Sequence, residues 1–449
     1  MTRRKKRQIL GLVLLFVFLA VFMIPQFQGN YYLQEKQLLS VGEPLEILSK
    51  FPPSIRKAIN IYISAGQKLL TMEGQDLNQG KYIWGENSPV VIEPGQVSLE
   101  LKLFGLIPLK KINVDVVPDI RLMPGGHSIG VLLRTEGVMV VGHSPILNQQ
   151  NDSCFPARDA DIRVGDMIIS INNIKVTTDK HLRNLLENIC QTEQKILITI
   201  KRNEQILKKV IYPQYCYETK SYRIGLFVRD NAGGVGTLTF WDPVTNKYGA
   251  LGHVITDSET NQKLQIRQGK ILSAHIENIQ KGRIGSPGEK IGIFLKDTEF
   301  GDIEKNEQCG IYGTLNKELV NSQYDEAIPV LYANKVHTGK AEILTVVRGQ
   351  EIKKYEITIE KIHHGRTDGK NMVIRINDPE LLKETGGIVQ GMSGSPIIQD
   401  GRLIGAVTHV FVNDPSRGYG VFIEKMLFEA GIINRQKQIL GFSSRDFVS

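Results

Sequence analysis

Short apolar stretches separated by glycine turns fill the second half of the chain, and this pattern restricts the possible folds more than any other feature. From about residue 221 onward, long helical periodicities are few, the exception being the segment from Glu424 to Gln438. Regular short strands with frequent turn signals are typical of a sandwich or a barrel. Alternating apolar residues also run from Val97 to Leu103, which is the pattern of a half-buried strand. We therefore predict a mainly β protein.

The region between about residues 122 and 212 has a different order of elements. A predicted strand from Met167 to Ile171 is followed by apolar residues at helical spacing between Asp179 and Cys190. A second alternating segment, from Ile196 to Lys201, follows this helix. The sequence thus predicts a compact module in which one helix packs on strands.

The amino terminus carries a membrane-targeting pattern. Five cations, Arg3 to Arg7, precede an uncharged apolar run from Ile9 to Ile24, and Pro25 ends the run. Such a run is a signal peptide or a signal anchor, and it spans about 24 Å of a bilayer core of about 30 Å. No Ala-x-Ala cleavage site follows, so we favour an uncleaved anchor within residues 1–25 over a cleaved signal. The cations are expected to stay in the cytoplasm, which places the rest of the chain outside.

The charge balance argues against nucleic-acid binding. The formal net charge is +8, and Arg3 to Arg7 supply five of these charges. No second basic cluster follows, and a nucleic-acid surface needs a concentrated one. Zinc-binding cysteine pairs and phosphate-binding glycine motifs are missing from the sequence, so we expect no metal and no cofactor. The four cysteines could form two disulfides, or they could be small core residues, and the sequence leaves both possibilities open: Cys154, Cys190, Cys216 and Cys309.

One glycine-serine turn has the arrangement of a nucleophile. In the run from Gly391 to Pro396, glycines stand before and after Ser393 and allow unusual backbone angles and close approach of a substrate. Ser393 could attack a carbonyl there, with the N–H groups of Gly391 and Ser393 stabilising the oxyanion. An ordinary turn between strands is the alternative. Because position 395 is Ser395 and not glycine, the α/β-hydrolase motif is not indicated.

A serine nucleophile needs a general base, and His253 is the candidate. Small residues precede His253 and β-branched residues follow it, which places it at a strand or a strand edge. Asp378 could hold the imidazole in the required tautomer, although Asp378 followed by Pro379 is also the pattern of a helix N-cap. Three further aspartates compete for this role: Asp257, Asp297 and Asp302.

The order of these motifs resembles that of the two-barrel chymotrypsin-like proteases. Three segments are more specific and resemble the SpoIVB peptidase family: Gly236 to Phe240, Gly249 to His253, and Thr385 to Pro396. The resemblance covers nearly the whole chain. It implies an anchor in residues 1–25, a stalk and small β-rich module in 26–117, a PDZ domain in 118–215, and a chymotrypsin-like two-barrel protease domain in 221–440.

The resemblance also implies functional residues. It assigns His253, Asp378 and Ser393 to a catalytic triad. A PDZ domain binds a peptide as an added strand and holds its terminal carboxylate with loop N–H groups. The loop implied by the resemblance, in which Ser128 replaces the usual first glycine, consists of Ser128, Ile129, Gly130 and Val131.

The function implied by the resemblance is a sporulation signalling protease in the space between forespore and mother cell. Its expected partners are the membrane, a membrane-bound regulator of an intramembrane protease as substrate, and a peptide or its own N-terminal segment at the PDZ domain. Cleavage of the regulator would trigger processing of a late sigma factor, and self-cleavage is expected near the N-terminus. A membrane-tethered PDZ adaptor with a non-catalytic protease-like domain is the alternative, and an exported esterase is a third class.

Overall fold

The structure, a computed structural model, describes residues 35–433 apart from residues 49–50, 52, 65–68, 73, 78–79, 83–87, 148–151, 204 and 258–259. The predicted anchor from Ile9 to Ile24 and the first part of the stalk lie outside the described residues. Within the described ranges, no helix is both long enough and apolar enough to cross a membrane.

The first of two compact units comprises residues 35–121 and 329–336 of the described chain. Its elements are β1 (Lys36–Ser40), α1 (Pro53–Arg56), β2 (Ile59–Ser64), β3 (Leu70–Met72), β4 (Gln75–Leu77), β5 (Gly80–Tyr82), β6 (Val90–Val91), β7 (Gly95–Leu103) and β8 (Ile107–Val117). Five strands form a sheet of order β1-β8-β7-β2-β5, and three more pair in the order β4-β3-β6. The strand predicted from Val97 to Leu103 is confirmed, because every second residue of β7 is buried.

The second unit comprises residues 122–328 and 337–433. The remaining strands are β9 (Arg121–Pro124), β10 (Ser128–His143), β11 (Ile146–Leu147), β12 (Ser153–Cys154), β13 (Met167–Ile171), β14 (Ile174–Lys175), β15 (Ile196–Arg202), β16 (Gln205–Ile211), β17 (Gln214–Cys216), β18 (Ser221–Arg223), β19 (Leu226–Trp241), β20 (Lys247–Ala250), β21 (Ile266–Gln280), β22 (Glu289–Glu307), β23 (Gly310–Leu315), β24 (Ile328–Pro329), β25 (Gly339–Val346), β26 (Ile352–Ile362), β27 (Met372–Ile376), β28 (Pro396–Gln399), β29 (Arg402–Phe411) and β30 (Asp414–Phe422). The remaining helices are α2 (Pro156–Asp159), α3 (Asp179–Ile189), α4 (Pro379–Thr385) and α5 (Ile423–Ala430).

Six strands of this unit form a first closed ring. Their pairing order is β10-β21-β22-β23-β20-β19, and β19 pairs back to β10. Buried apolar side chains from the ring strands, among them Ile129, Leu238 and Ile271, pack into one core. Burying these side chains together is the main force that holds the ring closed.

A second ring closes in the order β25-β26-β27-β30-β29-β28. The loop with Ser393 connects α4 to β28 of this ring. Helix α5 follows β30 and ends at Ala430, so the helical segment predicted from Glu424 onward is confirmed in its first half. Residues 434–438 of that prediction lie outside the described chain.

The predicted compact module is confirmed, and it lies in the chain between β10 and β19 of the first ring. Strands β13, β15 and β16 pair in sequence, and Leu182 and Leu186 of α3 belong to the same hydrophobic core as these strands. The N-cap of α3 is Thr178, whose hydroxyl accepts the N–H of His181 at 3.0 Å. This cap satisfies one of the free N–H groups at the start of the helix.

Strands β10 and β19 run through both the ring and the module. Residues 129–135 of β10 pair with β21 of the ring, whereas Val138 and Met139 pair with β13 of the module. The register shifts between Arg134 and Met139, which marks the passage from one to the other. The module is therefore an insertion between two paired strands of the ring, and it begins after Thr135 and not at the predicted boundary of residue 118.

The ring, and not the module, contains the four residues predicted to bind a peptide carboxylate: Ser128, Ile129, Gly130 and Val131. All four pair with β19 on one side, and Ile129, Gly130 and Val131 also pair with β21 on the other. Both strand edges are therefore occupied, and no edge is left for an added peptide strand or a carboxylate. That prediction was wrong, because the same small and apolar residues suit a buried strand of a closed ring.

Candidate active site

Glycine geometry shapes the loop that carries Ser393. Gly391 and Gly394 have φ values of +92° and +94°, which other residues rarely adopt. A Cβ atom on Gly394 would lie 2.0 Å from the carbonyl oxygen of Thr237 and 2.5 Å from the nitrogen of Leu251. Only glycine fits between the loop and β19. The sequence rule that glycines flank the nucleophile therefore has a direct steric cause here.

Three hydrogen bonds fix this loop to β19 of the first ring. The hydroxyl of Thr237 donates to the carbonyl of Gly391 at 2.7 Å, and that of Thr239 donates to the carbonyl of Gly394 at 2.8 Å. The N–H of Thr237 also donates to the carbonyl of Ser393 at 3.0 Å. The position of Ser393 in the second ring is thus set by side chains of the first ring.

The hydroxyl of Ser393 donates to the carbonyl oxygen of Thr408, at a distance of 2.6 Å. Ser393 and Gly391 also keep their own N–H groups free, since in the described chain neither donates a hydrogen bond to the protein. Two free N–H groups beside a serine are what an oxyanion requires.

His253 follows a tight turn at the end of β20, where Leu251 and Gly252 have φ values of +69° and +70°. Its Nδ1 lies 2.8 Å from the carbonyl oxygen of Val254. Because a carbonyl only accepts, Nδ1 carries the proton and Nε2 keeps its lone pair. Burial lowers the pKa of His253, and the bond to Val254 opposes this effect. The neutral imidazole is therefore ready to accept a proton at Nε2.

A cavity of about 690 Å³ brings the predicted nucleophile and base together. Ser393, His253 and Gly391 all line it, as does His409, whose ring centroid lies 5.1 Å from that of His253. Burial, and to a smaller extent the nearby His253, lowers the pKa of His409 to about 4. Two neutral imidazoles thus face a serine hydroxyl across one cavity.

The structure does not bring Asp378 to this cavity. Its carboxylate accepts the N–H of Leu381 at 3.0 Å as the N-cap of α4, and its own N–H donates to the carbonyl of Glu356. The N-cap interpretation is confirmed. The expected contact of Asp378 with His253 is corrected, since the carbonyl of Val254 occupies the Nδ1 side of the imidazole.

The competing aspartates have different positions. Asp257 lines the cavity, is only 3% exposed, and lies 3.4 Å from Nη1 of Arg229. The carboxylate of Asp302 accepts the side-chain amide of Asn316 at 3.0 Å. The side chain of Asp297 lies outside what the structure describes. Of the described carboxylates, Asp257 is the one that shares the cavity with His253.

A second cavity, of about 260 Å³, lies in the inserted module. It separates the face of α3 that carries Leu182 and Leu186 from the chain between Tyr222 and Val228. Gly225 there has φ = +77°, and a Cβ atom on it would lie 2.8 Å from the carbonyl of Ser144. A groove between a helix and a strand that follows a glycine turn has the shape needed to accept an extended peptide.

Several of these features were missed from the sequence. The segment from Ile224 to Phe227 has a glycine followed by two large apolar residues, a signal that could have located the groove. The contacts of Val254 and Thr408 use backbone carbonyls, which no residue pattern reveals. All four cysteines are described, and none forms a disulfide.

Comparisons with known proteins agree with this architecture. Residues 220–427 match the family model SpoIVB peptidase S55, and residues 156–202 match a PDZ domain model. A search of the curated proteins gives no match.

Three solved structures resemble parts of the chain. The PDZ domain of the SdrC-like protein from Listeria monocytogenes is 16% identical, with 21% of this chain and 87% of that chain covered and a TM-score of 0.16. The inactive form of Rv3671c protease is 15% identical, with coverage of 44% and 84% and a TM-score of 0.26. An inactive serine-to-alanine mutant of Rv3671c from M. tuberculosis H37Rv is 12% identical, with coverage of 44% and 83% and a TM-score of 0.24.

The two family matches define the class of the molecule, which is a serine peptidase with a PDZ domain. Residues 220–427 of the chain match the SpoIVB peptidase S55 family. The family suspected from the sequence is thereby confirmed, whereas the roles of individual residues stay predictions.

Proposed function

We propose that this serine peptidase is an exported, membrane-anchored endopeptidase that cleaves a membrane-bound regulatory protein during sporulation. The presence of Ser393 and His253 in one cavity is the observation that carries the catalytic part of the proposal. The family match and the basic, apolar amino terminus support the signalling and membrane parts. By resemblance, the substrate is a regulator of an intramembrane protease, and the place is the space between forespore and mother cell.

The reaction that these residues support is amide hydrolysis through an acyl-enzyme. The hydroxyl of Ser393 turns from the carbonyl of Thr408 towards Nε2 of His253 and attacks the substrate carbonyl as its proton passes to the imidazole. The N–H groups of Gly391 and Ser393 stabilise the oxyanion. His253 then gives its proton to the leaving amine, and water releases the acyl group by the same route.

The orientation of the base does not need a carboxylate in this proposal. The carbonyl of Val254 already accepts the Nδ1 proton of His253 and so fixes the tautomer. A carbonyl stabilises the imidazolium less than a carboxylate does, because it carries only a partial charge. The enzyme would therefore be a modest catalyst, which suits a protease that cuts a few partners.

The first test uses the full chain in detergent, as wild type, Ser393→Ala and the surface control Ser322→Ala. Each protein reacts with a fluorophosphonate and is followed by intact mass, alone and with the ectodomain of a candidate membrane protein. Wild type and Ser322→Ala should gain the label and make cuts, whereas Ser393→Ala should do neither. Equal labelling and cutting by Ser393→Ala would contradict a catalytic Ser393 and point to another nucleophile, whereas a folded wild type that never labels would favour the adaptor.

The groove in the inserted module supports a second candidate function, which is binding of an extended peptide with an apolar residue. The side chains of Leu182 and Leu186 form its apolar wall, and Arg183 and Arg223 lie at the same cavity. The chain's own residues 26–46 are a suitable probe as a fluorescent peptide. Because Leu182 is also a core residue, circular dichroism must first show that Leu182→Glu is folded. Binding that is lost in the folded variant would support the groove, and equal binding by Leu182→Glu would place the peptide elsewhere.

A further inference from the structure

Beneath the nucleophile loop lies a lysine whose amine meets no carboxylate in the part of the chain that the structure describes. Lys290 in β22 is 4% exposed. Its amine donates to the hydroxyl of Thr345 at 2.8 Å and makes a longer contact, 3.5 Å, with the hydroxyl of Thr237. Thr237 belongs to the first ring and Thr345 to the second, so this one amine joins the two rings. Burying an amine without an acidic partner is costly, and such groups are often retained for a function.

The main chain of Lys290 fixes the peptide bond that precedes Gly391. Its N–H donates to the carbonyl of Gln390 at 2.9 Å. In a planar trans peptide, the C=O and the N–H point in opposite directions. Holding the carbonyl of Gln390 on the side of Lys290 therefore turns the N–H of Gly391 to the other side.

The side chain of Lys290 acts on the next peptide bond. A Cβ atom on Gly391 would lie 3.1 Å from Cβ and Cδ of Lys290, so the lysine stem fills the space that glycine leaves. The hydroxyl of Thr237 gives its only proton to the carbonyl of Gly391 at 2.7 Å. It can therefore only accept from the amine, which holds the hydroxyl in the orientation that fixes Gly391.

We propose that Lys290 is a positioning residue for the oxyanion site, acting on Gly391 through its own main-chain N–H and, by its amine, through the hydroxyl of Thr237. The inference rests on the proposed function, since it gives the N–H of Gly391 the oxyanion role. It adds a residue that neither the glycine-serine motif nor the base reveals.

The surroundings of the amine are consistent with a positioning role. The groups that face it from β19, β25 and the nucleophile loop are Thr237, Thr345 and Gly391, none of which titrates. Burial lowers the pKa of Lys290 to about 7. A neutral amine has two N–H bonds, and two hydroxyl acceptors stand in reach.

The test is the rate at which a fluorophosphonate labels Ser393 in the full chain. Lys290→Met keeps the stem and the main-chain bond and removes only the amine. Removing one oxyanion hydrogen-bond donor lowers the reaction rate by about 10²–10³-fold. A donor that is kept but less well positioned should therefore slow labelling by about 10–100-fold. Thr237→Val should slow labelling similarly, and Thr237→Ser should recover most of that loss because it keeps the hydroxyl. The double variant Lys290→Met/Thr237→Val should be no slower than Thr237→Val alone.

The matched control is Lys270→Met, which removes an exposed lysine of the same ring that pairs with Glu299. Circular dichroism and urea unfolding verify that each variant is folded. A folded Lys290→Met that labels as fast as wild type, or a folded Thr237→Ser as slow as Thr237→Val, would overturn the positioning role while leaving the peptidase intact. A folded wild type that never labels would instead overturn the proposed function, and the positioning role with it.

Discussion

The inserted PDZ module and the peptidase rings bury positive charge in opposite ways. In the module, Nε and Nη2 of Arg202 donate to the two carboxylate oxygens of Asp166 at 2.7 Å, and Nη1 lies 3.3 Å from Asp161. In the rings, the hydrogen-bond partners of the Lys290 amine are hydroxyl groups. Hydrogen bonding to Asp166 raises the pKa of Arg202, whereas burial lowers the pKa of Lys290 to about 7.

This difference distinguishes a charged group that stabilises the fold, Arg202, from a group whose charge depends on pH, Lys290. A guanidinium clasped by two carboxylates stays charged and ties β15 to the turn before β13. An imidazole, or an amine whose pKa is strongly lowered by burial, changes charge much closer to neutral pH. His253 follows the second pattern, because burial lowers its pKa and its Nδ1 proton meets a carbonyl. Groups of this second kind concentrate at functional sites.

The largest expected effect comes from removing the module's cation. Arg202→Met leaves Asp166, whose side chain is 1% exposed, without its cation, although the main-chain N–H of Arg163 still donates to it at 2.7 Å. Breaking a buried pair in this way costs about 3–5 kcal/mol, so the urea midpoint should fall strongly. The control Arg163→Met removes a cation that is 66% exposed, and we expect a change below about 1 kcal/mol. Equal losses in both variants would contradict a structural role for the Arg202 pair.

Lys290 should behave in the opposite way, with a stability that depends on pH. Its pKa is lowered from 10.5 to about 7 on folding, so between these values the unfolded chain binds the extra proton. The free energy of unfolding of wild type, relative to that of Lys290→Met, should therefore rise as pH increases from about 7 to 10.5 and stay level below pH 7. Urea unfolding of both proteins at pH 6.5, 8 and 9.5 measures this difference. A constant difference over the range would show that Lys290 stays charged in the folded state.

The predicted general base, His253, should give a smaller pH effect, which is measured in the kinetics of labelling. Burial disfavours the imidazolium form of His253, so the base stays neutral below its ordinary pKa of 6.5. The rate of fluorophosphonate labelling should fall to half on the acid side only below pH 6.5. Measuring Lys290→Met and His409→Gln alongside wild type removes the other two groups that titrate near the site. An acid limb above pH 6.5 in all three would mean that a carboxylate stabilises the imidazolium after all.

Local features were predicted well from the sequence, because they depend on neighbours along the chain. The helix from Asp179, the strand from Met167 to Ile171 and the N-cap at Asp378 each follow from spacing or capping chemistry. Ser393 was predicted as the nucleophile because glycines flank it, and the structure shows the steric reason for Gly394; its role stays a prediction.

Long-range pairings could not be predicted in this way. Ser128 to Val131 were placed in the PDZ domain because a strand's residues do not tell which strands it pairs with. One strand, β10, belongs to both the ring and the module, and no change in composition marks the point where it leaves one and enters the other. Lys290 touches Gly391 across about a hundred residues of chain, so its role has no local signal.

The smallest expected effect is that of substituting Asp378, whose carboxylate lies outside the cavity with Ser393 and His253. Asp378→Ala removes the N-cap of α4 and should cost about 1 kcal/mol of stability, while Asp378→Asn keeps a good cap and should cost less. Because Val254 already accepts the Nδ1 proton, neither folded variant should label much more slowly than wild type. An orienting aspartate is worth about 10⁴-fold in rate. A fall of even hundredfold in Asp378→Asn would show that this carboxylate reaches His253 during catalysis, and the contrast between paired and unpaired cations would then hold for Lys290 alone.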